Sequence, residues 1–315
     1  MSKTIKVATV TLNPAIDRTV YVPDFRAGKV NRVERERSDA GGKGVNVASV
    51  LADYGLKVAV TGFLGEENSF IFEQLFTQKG IQDRFVRIAG RTRTGIKIID
   101  EVHQETTDIN FPGQAPGETD LDKLLEIVEA LAGECDWFVL AGSLPKGVSA
   151  AIYHQLVKLV KSRNRRVALD SSGQALRLAL PAAPTLIKPN IDELRELTGS
   201  PLNSRAKVIQ AAEQLLDRGV KTVIISMGER GALFVEDGET VLARPPEIKV
   251  KSTVGAGDAM VSGMVAGTIQ GLPLEARARL ATAFSLSAIS QVGSGLPSPE
   301  AIDAFKSQVT FEPLS

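Results

Sequence analysis

The segment Thr253-Val-Gly-Ala-Gly-Asp258-Ala-Met-Val-Ser-Gly263 joins two glycines to a carboxylate and then to a helix-compatible run. Gly255 and Gly257 free backbone amides in a tight turn. A glycine turn that feeds a helix N-terminus is an anion site, because unpaired amides and the positive end of the helix dipole face the ligand. A carboxylate beside such a turn is electrostatically misplaced unless it acts on something, and accepting the proton of an attacking hydroxyl is the task that fits. The positive helix end is expected to keep Asp258 ionised at neutral pH. The alternative is that Asp258 merely caps the helix while the glycines turn the chain.

Other clusters carry weaker signals. Ala40-Gly41-Gly42-Lys43-Gly44-Val-Asn46 also precedes a helix; its glycines let a polar ligand lie against the backbone, and Asn46 can hydrogen-bond hydroxyls. Asn13-Pro-Ala-Ile-Asp17 follows a short β-rich run, where a polar turn lines the ligand crevice of a parallel sheet, and Asp17 can bind paired sugar hydroxyls. An Asx-type turn is the plainer reading there. Lys188-Pro-Asn190-Ile-Asp-Glu193 offers an acceptor pair suited to hydrated Mg²⁺, or equally a helix cap with glutamate three residues on. Arg26, Lys29, Arg32, Arg35 and Arg37, with Arg91 and Arg93 later, would suit a phosphorylated substrate, although most of such charges are solvated surface. The Walker pattern is absent: Gly28-Lys29 is followed by Val30, and Gly42-Lys43 by Gly44. The dinucleotide fingerprint lacks its third glycine, since Met260 stands three residues after Gly257.

These residues need a scaffold, and the chain supplies one. It has 315 residues, 43% of them hydrophobic, which suits one large α/β domain with an insertion. Lys plus Arg equal Asp plus Glu at 37 each, so a nucleic-acid partner is not expected. No apolar run reaches membrane-spanning length, and the first residues lack the apolar stretch of a signal peptide, so no membrane partner is expected either. The lone Cys135 excludes an intrachain disulfide, and His103 and His154 form no metal motif. Together these suggest a cytoplasmic enzyme or ligand-binding protein.

Short apolar strands alternate with helices. Strands are expected over Lys6–Leu12, Val58–Phe63, Trp137–Ala141, Arg166–Asp170, Thr185–Lys188 and Thr222–Met227. Helices are expected over Gly44–Tyr54, Glu67–Lys79, Asp120–Ala132, Ser149–Arg163, Asp192–Thr198 and Ser204–Arg218. That rhythm predicts a mostly parallel sheet covered by helices on both faces. Arg18–Ala40 and Arg91–Phe111 break it with strand-like alternation, the second as a hairpin, and predict a small β-sheet in two pieces inserted into the main domain. The Pro/Gly-rich Phe111–Gly117 stretch reads as a linker.

Taken together, the motifs resemble the ribokinase/PfkB sugar-kinase family from Asn13 to about Gly293. Gly41-Gly42-Lys43-Gly44-Val-Asn46-Val-Ala48 resembles its first signature, and Ser252-Thr-Val-Gly255-Ala-Gly257-Asp258-Ala its second. Thr11-Leu-Asn13-Pro-Ala-Ile-Asp17, Thr92-Arg93-Thr-Gly, Thr107-Asp-Ile-Asn110 and Ala141-Gly-Ser143-Leu-Pro-Lys-Gly147 resemble its sugar-phosphate branch. Gly95 departs from it, standing where Thr-Arg-x-Asn carries asparagine.

The resemblance implies a Rossmann-like, ribokinase-like α/β domain over residues 1–315, with a β-sheet lid from about 18–40 and 91–111 that pairs two subunits into a homodimer. It implies ATP with Mg²⁺ and a sugar phosphate as acceptor, fructose 1-phosphate before fructose 6-phosphate or tagatose 6-phosphate. Asp258 would be the base, with Gly255, Ala256 and Gly257 forming the anion hole. Asp17, Gly42, Lys43, Asn46, Arg93 and Ser143 would hold the acceptor. Lys188, Asn190, Glu193, Ser226, Gly228, Thr253, Gly255 and Gly257 would lie on the nucleotide side, Asn190 and Glu193 reaching Mg²⁺ through water. A sugar-phosphate sensor without turnover is the alternative of another class, and it would have no use for the base.

Overall fold

The computed structural model describes residues 5–248, 254–290 and 295–312. Its main sheet is built on β1 (Val7–Thr11), and a smaller sheet begins immediately after it with β2 (Ala15–Tyr21) and β3 (Arg35–Gly41). The chain continues through α1 (Lys43–Asp53), β4 (Val58–Gly65), α2 (Phe70–Lys79), β5 (Gln82–Asp83) and β6 (Val86–Ile88). It returns to the small sheet with β7 (Arg93–Asp100) and β8 (Glu105–Asn110). Then follow α3 (Glu118–Glu134), β9 (Trp137–Ala141), α4 (Ile152–Ser162), β10 (Arg166–Asp170), α5 (Gly173–Ala179), β11 (Leu186–Ile187), α6 (Ile191–Thr198), α7 (Arg205–Leu216) and β12 (Thr222–Ser226). The last part comprises β13 (Ala232–Glu236), β14 (Glu239–Arg244), α8 (Ala256–Ile269), α9 (Leu274–Ser290), α10 (Pro299–Gln308) and β15 (Thr310–Glu312).

The main sheet runs β15-β14-β13-β12-β11-β10-β9-β1-β4-β5, with β6 also on β4. It is parallel from β5 to β12 and antiparallel over β13–β15. The chain leaves β1 for β4 on one side and later returns to β9 on the other. The carboxyl end of β1 is therefore a topological switch point, the place where open α/β sheets bind ligands. Alternate strand residues face opposite layers. Phe138, Leu140, Val167 and Leu169 pack with α3, α4, α5 and α7, whereas Val139, Ala141 and Ala168 pack with α1, α2, α8 and α9. Each large apolar side chain fully buried this way contributes about 1.5–3 kcal/mol.

α8 is apolar on all sides because it lies between other elements, and α9 comes so close that a Cβ on Gly263 would sit 2.6 Å from the Cα of Ala281. The strand expected over Thr185–Lys188 shortens to Leu186–Ile187. Pro189 has no N–H to give to the ladder, and beyond it the chain pairs only through the isolated Asn190–Ser226 bridge.

The expected inserted sheet is one four-stranded sheet, ordered β3-β2-β7-β8. Both sequence pieces contribute to it, joined by parallel pairing of β2 with β7, and it starts at Ala15 rather than Arg18. Val20, Val22 and Ile98 form a small core of its own. β8 is exposed along its whole length.

Candidate active site

Asp258 is the third residue of α8, and Gly255 is the helix N-cap with φ 80°, a left-handed conformation that favours glycine. Gly255 has no side chain with which to cap this helix. The carboxylate turns instead to Asn46 on α1, whose Nδ2 donates to Oδ2 at 2.8 Å. The capping alternative is therefore set aside. Asp258 is 5% exposed, and burial pushes its carboxyl up to about 6. Asp170 adds to that rise, while Lys43, the Asn46 hydrogen bond and Lys188 oppose it. Desolvation outweighs the helix-end potential, so the carboxyl rises rather than falls. A carboxyl near 6 is still mostly ionised at neutral pH and is a stronger base than an ordinary aspartate.

Two lysines flank it. Lys43, the first residue of α1, places Nζ 3.0 Å from Oδ2 of Asp170, and Lys188 places Nζ 3.5 Å from Oδ1 of the same carboxylate. Lys188 also lies against the glycine turn: a Cβ on Gly257 would sit 3.0 Å from its Nζ. Burial would depress the Lys43 ammonium, yet Asp170, Asp258 and Glu193 overcome this and hold it up at about 12. Burial likewise pushes Asp170 up, but the two lysines prevail and keep it below the ordinary carboxylate value. Asp170 was read from sequence only as the end of a strand. Its position at the carboxyl edge of a parallel strand was the available signal.

A second group lies on the small-sheet side. Gly42 has φ 115°, and a Cβ there would meet Pro14 and Thr11 at 3.0 Å, so the start of α1 lies close against the turn after β1. Asp17 faces Asp39 and Gly95 across the strands; burial pushes its carboxyl up, with Arg93 and Lys97 pulling the other way. Gly95 has a local reason: a Cβ would stand 3.0 Å from Asp17 Oδ1. Arg93 donates through Nε and Nη2 to the carbonyl oxygen of Asn13 at 3.4 and 3.3 Å, and Asn13 Nδ2 donates to Ser143 Oγ at 3.2 Å. A small open cleft lies here, lined by Asn13, Thr92, Arg93 and Gln114 among others. Gln114 was not anticipated, because its Phe111–Gly117 segment reads as a mere linker. Four of the other arginines of the inserted pieces form surface ion pairs, Arg26 with Asp24, Arg35 with Glu101, Arg37 with Asp39 and Arg91 with Glu67.

Farther along the carboxyl edge of the sheet, Asn190 and Glu193 form the capping box of α6. Asn190 Oδ1 accepts from the amides of Asp192 and Glu193, and Glu193 Oε2 accepts from the Asn190 amide. Ser226 bridges to Asn190 at the sheet edge, and Gly228 begins an exposed turn. Thr253 lies outside the described residues. Among the described residues no group of three or more His, Cys, Asp or Glu could cage a metal ion. The donor set fits Mg²⁺ held through water and substrate phosphates, the usual arrangement for that ion.

The sequence profile of the pfkB family carbohydrate kinases matches residues 6–301. The chain is 49% identical to a 1-phosphofructokinase of Rhodobacter capsulatus, over 99% of each protein. It is 42% identical to a 1-phosphofructokinase of Vibrio cholerae, over 99% of this chain and 98% of the other. Among solved structures, phosphofructokinase-2 from Escherichia coli in complex with substrates and products superposes with a TM-score of 0.90 at 29% identity, covering 96% of this chain and 99% of that one.

Proposed function

This chain belongs to the pfkB family of carbohydrate kinases, and on that premise we propose that it transfers the terminal phosphoryl group of ATP to fructose 1-phosphate, giving fructose 1,6-bisphosphate and ADP. The observation that carries the reading is the buried Asp258 carboxylate, oriented by Asn46, beside the Gly255–Gly257 turn and between Lys43 and Lys188. The choice of acceptor rests on the likeness to 1-phosphofructokinases along nearly the whole chain.

In this mechanism Asp258 takes the proton of the attacking primary hydroxyl as its oxygen bonds to the γ-phosphorus and the bond to the ADP oxygen breaks. The amides of Ala256, Gly257 and Asp258 meet the developing charge, and Lys188 supports them from beneath the turn. Asp17, Gly42 and Asn46 hold acceptor hydroxyls and Arg93 and Ser143 lie toward its phosphate, while Lys43, held by Asp170 in the field of Asp258, serves the transferring phosphoryl group rather than the acceptor's own phosphate. Asn190, Glu193, Ser226, Gly228 and Thr253 belong to the nucleotide side, and Asn190 and Glu193 would hold Mg²⁺ through water, where it would offset phosphate charge. The four-stranded sheet serves as a lid inserted in one kinase domain. Its exposed edge, with Ile109 and Phe111 about half exposed, favours a homodimer through this sheet. No helix among the described residues is long and apolar enough to cross a membrane. A cytoplasmic location is part of the reading.

The test is ATP-dependent turnover of fructose 1-phosphate, fructose 6-phosphate, tagatose 6-phosphate, fructose and adenosine. Fructose 1-phosphate should give the highest kcat/KM. A best rate with fructose or adenosine would refute the sugar-phosphate reading, and binding without turnover would favour a sensor.

A further inference from the structure

The Asp170 carboxylate touches two cations from different elements. Lys43 reaches it from the N-terminus of α1 and Lys188 from the loop after β11, each on its own oxygen. Asp170 and Lys188 are almost wholly buried, whereas the Lys43 side chain is 42% exposed. The Tyr153 hydroxyl lies nearby but donates to the carbonyl of Gly142, so it leaves the carboxylate to the lysines. The backbone of Asp170 is fixed as well, its carbonyl accepting from the Gly142 amide at 3.0 Å.

Burying such charges gains little stability over an apolar replacement of the same shape. What the arrangement does determine is position. One ammonium is held against Gly257 and the other within the field of Asp258 and Glu193. Both positions border the Gly257–Asp258 segment, where the phosphoryl group would be transferred. Without the shared anion, the two ammonium groups would repel each other and Lys43 would be free to swing into solvent.

Resting on the phosphoryl-transfer reading above, we propose that Asp170 is a positioning residue, which tethers Lys43 and Lys188 beside the transferring phosphoryl group and so presets the charge that the transition state needs. It touches neither substrate; it acts through the two lysines.

Steady-state kinetics of the full-length protein with ATP and fructose 1-phosphate test this. Asp170→Asn should lower kcat by about 10²-fold, the loss typical of a misplaced reacting group. The charged groups facing Asp258 are Lys43 from α1, Asp170 from β10 and Lys188 after β11. Removing the Asp170 charge should therefore move the acid limb of kcat/KM to lower pH, an effect that a merely structural role would not produce. Lys43→Met should also cost less in the Asp170→Asn background than in the wild type. Asp170→Glu keeps the charge but lengthens the tether; it should lower kcat with the acid limb near its wild-type position, and it serves if Asp170→Asn does not fold. An active wild type with unchanged kcat in Asp170→Glu, or a folded Asp170→Asn with wild-type kcat and acid limb, would overturn the tether alone. A wild type that turns over no ketose phosphate would refute the functional reading and take the tether with it.

Discussion

Asp258→Asn separates catalysis from stability. The substitution preserves shape and leaves an oxygen to accept the Asn46 hydrogen bond, but it removes basicity. Loss of a general base typically costs about 10²–10⁴-fold in rate, so kcat should fall at least about 10²-fold, roughly 3 kcal/mol of barrier. The fold should gain. The carboxyl rises from 3.8 to about 6 on folding, mainly through burial, and a shift of about 2 units corresponds to ~3 kcal/mol. A folded-state value above the unfolded one means that the native protein binds the proton more tightly. The associated stability is fully present below pH 3.8 and is lost as pH rises through about 6. At pH 8 wild type bears the whole cost of an ionised buried carboxylate and the asparagine variant bears none. By the usual entropy of unfolding per residue, the variant should melt about 4–5 °C higher at pH 8, with the difference vanishing near pH 4. Calorimetry across that range, beside kcat at saturating substrates, checks both halves. A kcat within threefold of wild type, well short of the loss expected for a missing base, would remove Asp258 from catalysis. A melting difference independent of pH would refute the desolvation argument.

Arg93→Ala should weaken use of the sugar phosphate by about 2–5 kcal/mol while the KM for ATP changes little; an unaltered sugar-phosphate KM would place Arg93 outside the acceptor site. Gly263→Ala should destabilise the protein by about 1–3 kcal/mol, the cost of overpacking, because the added methyl meets the α9 backbone at Ala281; denaturant unfolding reads it, and a neutral result would mean that α8 and α9 separate easily. Wild type should sediment as a dimer at micromolar concentration and Ile109→Asp as a monomer; a fully active wild-type monomer would refute pairing through the small sheet.

Much of this protein was legible in its sequence because the relevant signals are local. The strands Trp137–Ala141 and Arg166–Asp170 are short apolar runs with clear ends, and the structure reproduces both. Gly80 ends α2 in a left-handed conformation, as a glycine after a periodic run should. Gly255, Gly257 and Asp258 are neighbours in sequence, so their turn and helix start could be read without a fold. Contacts between distant segments could not. Asn46 meets Asp258 across 212 residues, and Lys43 meets Asp170 across 127, distances that only the crossovers of the sheet close. That Asp258 is ionised at neutral pH could be read from its helix end, but the rise of its carboxyl to about 6 could not. A helix dipole is visible in the sequence, but desolvation depends on the packing of α1, α8 and β10 around it, and that packing determines when the base loses its proton.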